Sequence, residues 1–443
     1  MSIRTSRRTF ITAATVAGMG YWAAGGVQAQ DSKSPNERVR FACIGVGGKG
    51  SSDSADAGKA GDVVAICDID DLILNGAAKG FAKAEKFNDF RKMFDKLGKS
   101  IDAVTVSTPD HTHAVATLTA MKQGKHCFTQ KPLTHCVWES RELARVAKEQ
   151  KVATQMGNQG TANNSLREAA AQIKAGCCGK VSEVHVWTNR PIWPQGQARP
   201  SKAESIPGNV HWDLWLGPAA ERDYAQGYHQ FKWRGWWDFG TGALGDMACH
   251  TLNMPYMALA LKDPTAISAS HSGHNGDSYP ARSKIVYEYP ANDSRGPVKL
   301  FWYDGGNRPA KDLLGDSALE VSGSGALIIG DKGCLYAPGD YAEGKIHFTK
   351  GAEKKEVDFP RSRGHFTEWV DAIKDRSKEA MSNFPGYACG LTETVLLGNL
   401  AVYASKKEGQ EARVEWDAKN MKATGAEGLD AIVKNPVRKG WEV

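Results

Sequence analysis

The 443-residue sequence has no internal repeat, no low-complexity segment and no strong charge imbalance, and each absence removes a class of function. Its 56 basic residues face 50 acidic ones. Arg4, Arg7 and Arg8 lie in the first 29 residues, which hold no acid, so the remainder carries 53 basic residues against 50 acidic, a net of +3. That balance gives no footprint for nucleic acid and no attraction to an anionic membrane surface. The nine cysteines are an odd number, scattered, with Cys43 and Cys67 inside apolar runs and Cys177-Cys178 adjacent. Such placement is not a disulfide framework.

The N-terminus is set aside before the fold is considered. Ser6-Arg7-Arg8-Thr9-Phe10 precedes a mild Ala/Gly-rich apolar run and the small residues of Val27-Gln28-Ala29, which predicts a twin-arginine export signal over 1–29 and a periplasmic destination. A retained anchor is the alternative, although the run is too glycine-rich to insert strongly. Reduced, buried cysteines agree with a chain that folds in a reducing compartment and is exported already folded. After a polar linker over 30–37, about 410 residues remain, enough for two domains with a sizeable core.

The most informative stretch is Val39-Arg40-Phe41-Ala42-Cys43-Ile44, an apolar run that breaks into Gly45-Val46-Gly47-Gly48-Lys49-Gly50. A strand feeding a GxGxxG turn delivers backbone N–H groups and a helix N-terminus to a pyrophosphate. Asp62-Val63-Val64-Ala65-Ile66-Cys67 is a second strand, ending in Asp68 at the distance expected of an acid that accepts the ribose 2′-hydroxyl. Asp70 and Asp71 follow and no arginine stands beside them, which favours NAD over NADP. A helix cap at a strand end is the plainer alternative.

Ile101–Ser107 and His126–Thr129 continue the series of strands, separated by Thr108-Pro109-Asp110-His111-Thr112-His113 and a helical run to Gly124, and ending at Gln130-Lys131-Pro132. Strands alternating with helices predict a doubly wound parallel sheet of Rossmann type over 38–156, with ligand at the carboxyl ends of its strands. The GxGxxG turn, Thr108–Ala114, the alanine-rich helix into Gly124-Lys125-His126, and Lys131-Pro132 together resemble the Gfo/Idh/MocA family of NAD(P)-dependent sugar and polyol oxidoreductases. The similarity extends through Asp213–Pro218 and Gly245–His250 to Leu391-Thr392-Glu393. From about Thr154 the pattern changes: Val181–Trp187, Ala266–His271, Ser283–Tyr289 and Val298–Tyr303 follow without long helices between them. A C-terminal α+β domain over 157–443 with a large, open, mostly antiparallel sheet is predicted. Helices are expected over His365–Ile373 and Leu391–Ser405. The resemblance implies that late helices pack back on the first domain and that the open sheet pairs copies into a dimer or tetramer.

Lys131 stands at a strand end before a proline, where its amine can face a nicotinamide ring and a substrate hydroxyl; with its pKa lowered by burial and by the ring's charge it can exchange a proton as hydride moves. The matching lysine of the family has that role. The family's usual glutamate before it is Gln130 here, which leaves the lysine without that carboxylate. Asp246 and His250, four apart at what is expected to be the start of a helix, share one face, where the acid can orient the imidazole as a proton shuttle. The resemblance implies the same pair in inositol dehydrogenases. No third ligand accompanies them, so no metal is predicted.

His111 and His113 are expected in a loop packed against nicotinamide and ribose, along with Thr108, Pro109 and Gln130, and Asn158 is expected on the nicotinamide side. Seven of the thirteen tryptophans fall between Trp187 and Trp237, and aromatic faces with arginines suit a sugar ring, so Trp193, Trp236, Arg190, Arg234 and His250 are the candidate substrate contacts. A chain exported away from any NAD pool is expected to hold its cofactor tightly and restore it every cycle. That leaves oxidation of one sugar coupled to reduction of another, or glycoside cleavage by oxidation, elimination and re-reduction. A non-catalytic carbohydrate-binding protein is the reading from another class.

Overall fold

The structure, a computed structural model, describes residues 38–443. The twin-arginine signal expected over 1–29 and the linker over 30–37 lie outside the described residues. Six strands open the described chain: β1 (Val39–Ile44), β2 (Gly61–Cys67), β3 (Glu85–Phe87), β4 (Ala103–Val106), β5 (His126–Thr129) and β6 (Thr154–Met156). They form one parallel sheet in the order β3-β2-β1-β4-β5-β6. The unbroken apolar character of β1 is what a strand covered on both faces requires, and Phe41, Ala42 and Cys43 are fully buried. The strand order reverses between β1 and β4. Chain connections leave that point in opposite directions and open a crevice at the strands' carboxyl ends, where Gly45, Asp68, Thr108 and Gln130 come together.

A second sheet has nine strands. β7 (Val181–Trp187), β8 (Ala266–His271), β9 (Ser283–Tyr289), β10 (Val298–Tyr303), β11 (Gly325–Gly330), β12 (Gly333–Pro338), β13 (His347–Thr349), β14 (Ala412–Asp417) and β15 (Lys422–Thr424) lie in the order β13-β12-β11-β7-β10-β9-β8-β14-β15. Only β7 and β10 run parallel. β9 alternates buried and more exposed residues along its length, the period-two pattern of a sheet with one face in the core.

The late helix His365–Lys374 packs on the parallel sheet, as the resemblance implied: the ring of Trp369 lies 5.8 Å from Phe41 and 5.7 Å from Phe128, and its Nε1 donates to Ala153 O at 3.1 Å. The helix Cys389–Ala404 is buried nearly all round, between the lobes.

Thr154–Met156 is β6 of the parallel sheet, inside the 38–156 expected for that domain. Two local expectations are corrected. His111 and His113 stand on the first turn of the helix Asp110–Lys122 instead of in a loop, since Pro109 sets an extended entry and the helix starts directly after it. Asp246 and His250 occupy the middle and end of the helix Gly242–Thr251, not its start. All nine cysteines are buried free thiols. Among the described residues no helix is long and apolar enough to cross a membrane.

Candidate active site

The turn after β1 is shaped by two close approaches. A Cβ at Gly45 would lie 2.4 Å from Ser107 O, and one at Gly50 would lie 2.0 Å from Gly45 O, so only hydrogen fits at either position. The helix Lys49–Ala60 then begins behind Gly48 with no side chain capping it. Gly50 N and Ser51 N donate back to Gly47 O and Gly48 O, and the N–H groups of Gly48 and Lys49 are the ones placed for an anion. Asp68 faces the same turn. Its Oδ2 accepts from Val46 N at 3.0 Å and its Oδ1 from Asp70 N at 3.0 Å, while burial raises its carboxyl above the usual value. Val46 thus serves through its backbone, and Gly50 through packing; neither lines the crevice. The glycine turn, the acid after β2 and the uncapped helix fit a dinucleotide, pyrophosphate at the turn and ribose at Asp68.

The crevice continues as one cavity of about 790 Å³, within the roughly 300–1,000 Å³ of small-molecule sites. From Gly45, Gly47, Gly48 and Asp68 it runs past Thr108, Pro109 and Gln130 to Lys131, and there meets Asp246 and His250 from the second lobe. The strand ends of the first sheet and the helix Gly242–Thr251 therefore face each other across one space.

At that far end the charges are tightly organised. Lys131 Nζ donates to Asp246 Oδ1 at 2.7 Å and to Asp246 O at 2.8 Å. Arg234 Nε lies 3.2 Å from Asp246 Oδ1, and its Nη1 reaches both oxygens of Asp110 at 3.1 and 3.2 Å. Thr241 Oγ1 donates to Asp110 Oδ2 at 2.6 Å. Burial works to raise the Asp246 carboxyl, but the charges of Lys131 and Arg234 outweigh it and hold it well below the usual carboxylate range. His250 is pushed well below the ordinary histidine value by burial and then by the Lys131 charge, so its ring is neutral. No hydrogen bond joins Asp246 to His250, and His250 Nδ1 is buried without a partner. The expectation that the acid orients the imidazole is corrected: two cations take the carboxylate instead.

Other candidates divide between cavity and scaffold. Arg190 and Trp193 line the cavity, and Arg190 holds only Asn189 Oδ1 and a 3.9 Å approach to Asp246, so much of its guanidinium is open to a ligand. Arg234 also lines it, yet its Nη1 is engaged by Asp110 and its Nε by Asp246 while its guanidinium lies 4.2 Å over Trp233, which makes it a brace between lobes. Trp236 does not reach the cavity. It is core, donating through Nε1 to Gly227 O at 2.8 Å, and Trp215 and Trp233 face the ligand space in its place.

His111 and His113 are also withdrawn from the cavity, because the helix they start packs them inward. His111 contacts Phe239 O at 3.2 Å and Trp215 O at 2.9 Å, and burial lowers it to about 4. His113 stands 2.8 Å from both Thr108 O and Pro132 O, and so braces the two strand ends from behind. Asn158 is fully buried, accepting from Ser382 Oγ at 2.6 Å, and is likewise outside the cavity.

Sequence reasoning missed three features. Tyr341, from the loop after β12, enters the cavity with its ring edge-on to His250 at 4.8 Å and its hydroxyl accepting from Gln159 Nε2 at 3.3 Å. Asp53 lies behind Gln130. A strap from the excursion between β7 and the helix Gly242–Thr251 crosses to the end of β2: Asp71 N donates to Asn209 O at 2.9 Å, His211 N to Ile69 O at 3.0 Å and Asn209 Nδ2 to Asp70 Oδ1 at 2.8 Å. Leu214 and Trp215, just past the strap, line the same cavity as the glycine turn.

Comparison with known proteins agrees with this architecture. Residues 39–158 match the family described as an oxidoreductase family with NAD-binding Rossmann fold, and residues 178–295 its C-terminal alpha/beta domain. A protein of Solibacter usitatus named Glycosyl hydrolase family 109 protein is 28% identical over 244 residues, which is 49% of this chain and 55% of that one. Levoglucosan dehydrogenase of Pseudarthrobacter phenanthrenivorans is 26% identical over 183 residues, 40% of this chain and 37% of that one. The chain thus aligns with about half, or less, of the length of these relatives. The WlbA dehydrogenase of Bordetella pertussis, solved with NADH and UDP-GlcNAcA, superposes with a TM-score of 0.59 at 18% identity over 86% of this chain and 100% of that one, a likeness of fold.

Proposed function

This chain belongs to the Gfo/Idh/MocA oxidoreductase family, and on that premise we propose that it is an NAD-dependent oxidoreductase acting on a hydroxyl of a sugar, glycoside or polyol, with the dinucleotide retained through a redox-neutral cycle. The observation that carries the reading is that Lys131 and His250, from different lobes, line the same cavity as the glycine turn. The acids Asp68, Asp70 and Asp71 support NAD over NADP, because a 2′-phosphate beside them would be repelled. The strap over the end of β2 supports retention, since it is bonded to Asp70 and the residues just past it, Leu214 and Trp215, line the same cavity as the glycine turn. Export through the twin-arginine signal belongs to the same proposal, as does pairing of copies through the open sheet.

When bound, the dinucleotide supplies a hydride acceptor for a carbinol C–H. Neutral His250 is the group able to take the hydroxyl proton. Lys131, fixed by its two bonds to Asp246, donates a hydrogen bond to the same oxygen and stabilises negative charge as it develops. Arg190 and Trp193 hold the rest of the ring. Glycoside cleavage by oxidation, elimination and re-reduction is the second reading. It is favoured by the alignment over 244 residues with a protein named as a glycosyl hydrolase, and by Tyr341, which adds a second proton-bearing group beside His250. A non-catalytic carbohydrate-binding role would leave the glycine turn, in the same cavity as Lys131 and His250, without a use.

The test is mass spectrometry of natively purified, then denatured, protein for bound nucleotide, followed by a panel of sugars and glycosides with no cofactor added. Bound NAD with turnover supports the reading, and glycoside cleavage selects the second form. Protein that carries no nucleotide and binds none overturns both.

A further inference from the structure

Asp53 is a buried carboxylate, 2% exposed, one turn into the helix that follows the glycine turn. It accepts from three separate parts of the crevice. Lys49 Nζ donates to Oδ1 at 2.6 Å, Ser107 Oγ to Oδ2 at 2.8 Å, and Gln130 Nε2 to Oδ2 at 2.7 Å. Lys49 belongs to the glycine turn, Ser107 follows β4 just before Thr108-Pro109, and Gln130 follows β5 just before Lys131. One carboxylate therefore ties together the three chain ends that surround the dinucleotide position. Gln130 is locked on its other side as well, with Oε1 accepting from Lys131 N at 3.4 Å.

We propose that Asp53 is a positioning residue that sets Gln130, and through it Lys131, against the dinucleotide, and that position 130 is an amide in this chain because Asp53 already supplies the carboxylate. The proposal rests on the reading that Lys131 and a dinucleotide share the cavity. Its chemistry is one of donors and acceptors. A carboxylate that accepts from Gln130 Nε2 at 2.7 Å cannot face a second carboxylate at that distance with both ionised. A glutamate at position 130 therefore conflicts with Asp53. Combined with Asp53→Asn it is accommodated, because that change turns the bond around and lets the new amide donate to the new acid.

The experiment compares wild type, Gln130→Glu and the exchanged pair Asp53→Asn/Gln130→Glu by NADH fluorescence titration at pH 6 and pH 8. Gln130→Glu is expected to bind NADH about tenfold more weakly at pH 8, with the deficit shrinking at pH 6 as the two carboxyls come to share a proton. The exchanged pair is expected to return to within about threefold of wild type, with no comparable dependence on pH. A Gln130→Glu protein that binds as wild type at both pH values overturns the proposal, and so does an exchanged pair no better than the single variant, including one that fails to fold. Wild type that binds neither NADH nor NAD defeats the proposed function instead, which keeps the two failures apart.

Discussion

Lys131 Nζ lies 2.7 Å from Asp246 Oδ1, and His250, one helical turn after Asp246, shares no hydrogen bond with that carboxylate. The site is therefore built around a bond between lobes: a lysine on the parallel sheet is held by an acid from the second lobe, with Arg234 on the same oxygen. The imidazole is left neutral and free to meet a substrate.

Asp246→Asn keeps the shape of that bond and removes its charge, so that Lys131 and Arg234 face each other without an intervening anion. Turnover is expected to fall about a hundredfold or more, and stability by about 3 kcal/mol, the cost of breaking a mostly buried pair from one side. Steady-state rates and urea unfolding of the same preparation check the two effects.

Because burial and the Lys131 charge depress His250, its ring remains able to accept a proton well below the pH at which an ordinary histidine charges. The sign follows: kcat/KM should hold level as pH falls through 6.5 and decline only further into acid. A rate profile with its acid limb centred near 6.5 that disappears in His250→Gln would count against this.

The parts of the site legible in the sequence are those whose neighbours in space are also strand ends in a regular pattern. Gly45, Asp68, Thr108 and Lys131 follow β1, β2, β4 and β5, and once the strands alternate with helices their meeting is a matter of topology. The bonds that organise them were not legible. Asp110 meets Arg234 across 124 positions and Gln130 meets Asp53 across 77, and no local period encodes either approach. Residue type misled at His111 and His113, whose helix turns their rings inward, and at Trp236, because a cluster of tryptophans does not say which of them faces the core.

The strap at Asn209 offers a test of cofactor retention. Asn209 Nδ2 donates to Asp70 Oδ1, the same oxygen that caps the helix Asp71–Ala78 by accepting from Leu72 N at 2.9 Å. Asn209→Ala removes one bond worth about 1 kcal/mol, so NADH release should quicken about fivefold while the fold is kept. Fluorescence decay after dilution into excess unlabelled NAD measures it, and an unchanged rate would remove the strap from the account of retention.

Arg190 presents an open guanidinium, whereas Arg234 is held through Nη1 by Asp110 and through Nε by Asp246. Arg190→Ala should therefore raise KM about tenfold with a smaller change in kcat, and Arg234→Ala should lower kcat and stability together. Equal effects on KM from both variants would mean that the two arginines had been assigned the wrong way round.

Asp304, just after β10, is buried, and burial raises its carboxyl to about 6 despite bonds from Ser283 N at 2.6 Å, Ser283 Oγ at 2.7 Å and Trp302 Nε1 at 2.8 Å. Between the ordinary carboxylate value of 3.8 and about 6, the folded chain holds a proton that the unfolded chain has lost. Stability from this group is therefore present at acid pH and is lost as pH rises through 6, by roughly 3 kcal/mol at the limit. Asp304→Asn cannot titrate, so the difference in unfolding free energy between wild type and variant should move in favour of the variant from pH 4.5 to pH 7.5. The fixed cost of an amide among three donors is the same at every pH and cancels from that slope. A difference that stays flat across the range would mean that Asp304 is ionised throughout and that its three donors, not burial, decide its charge.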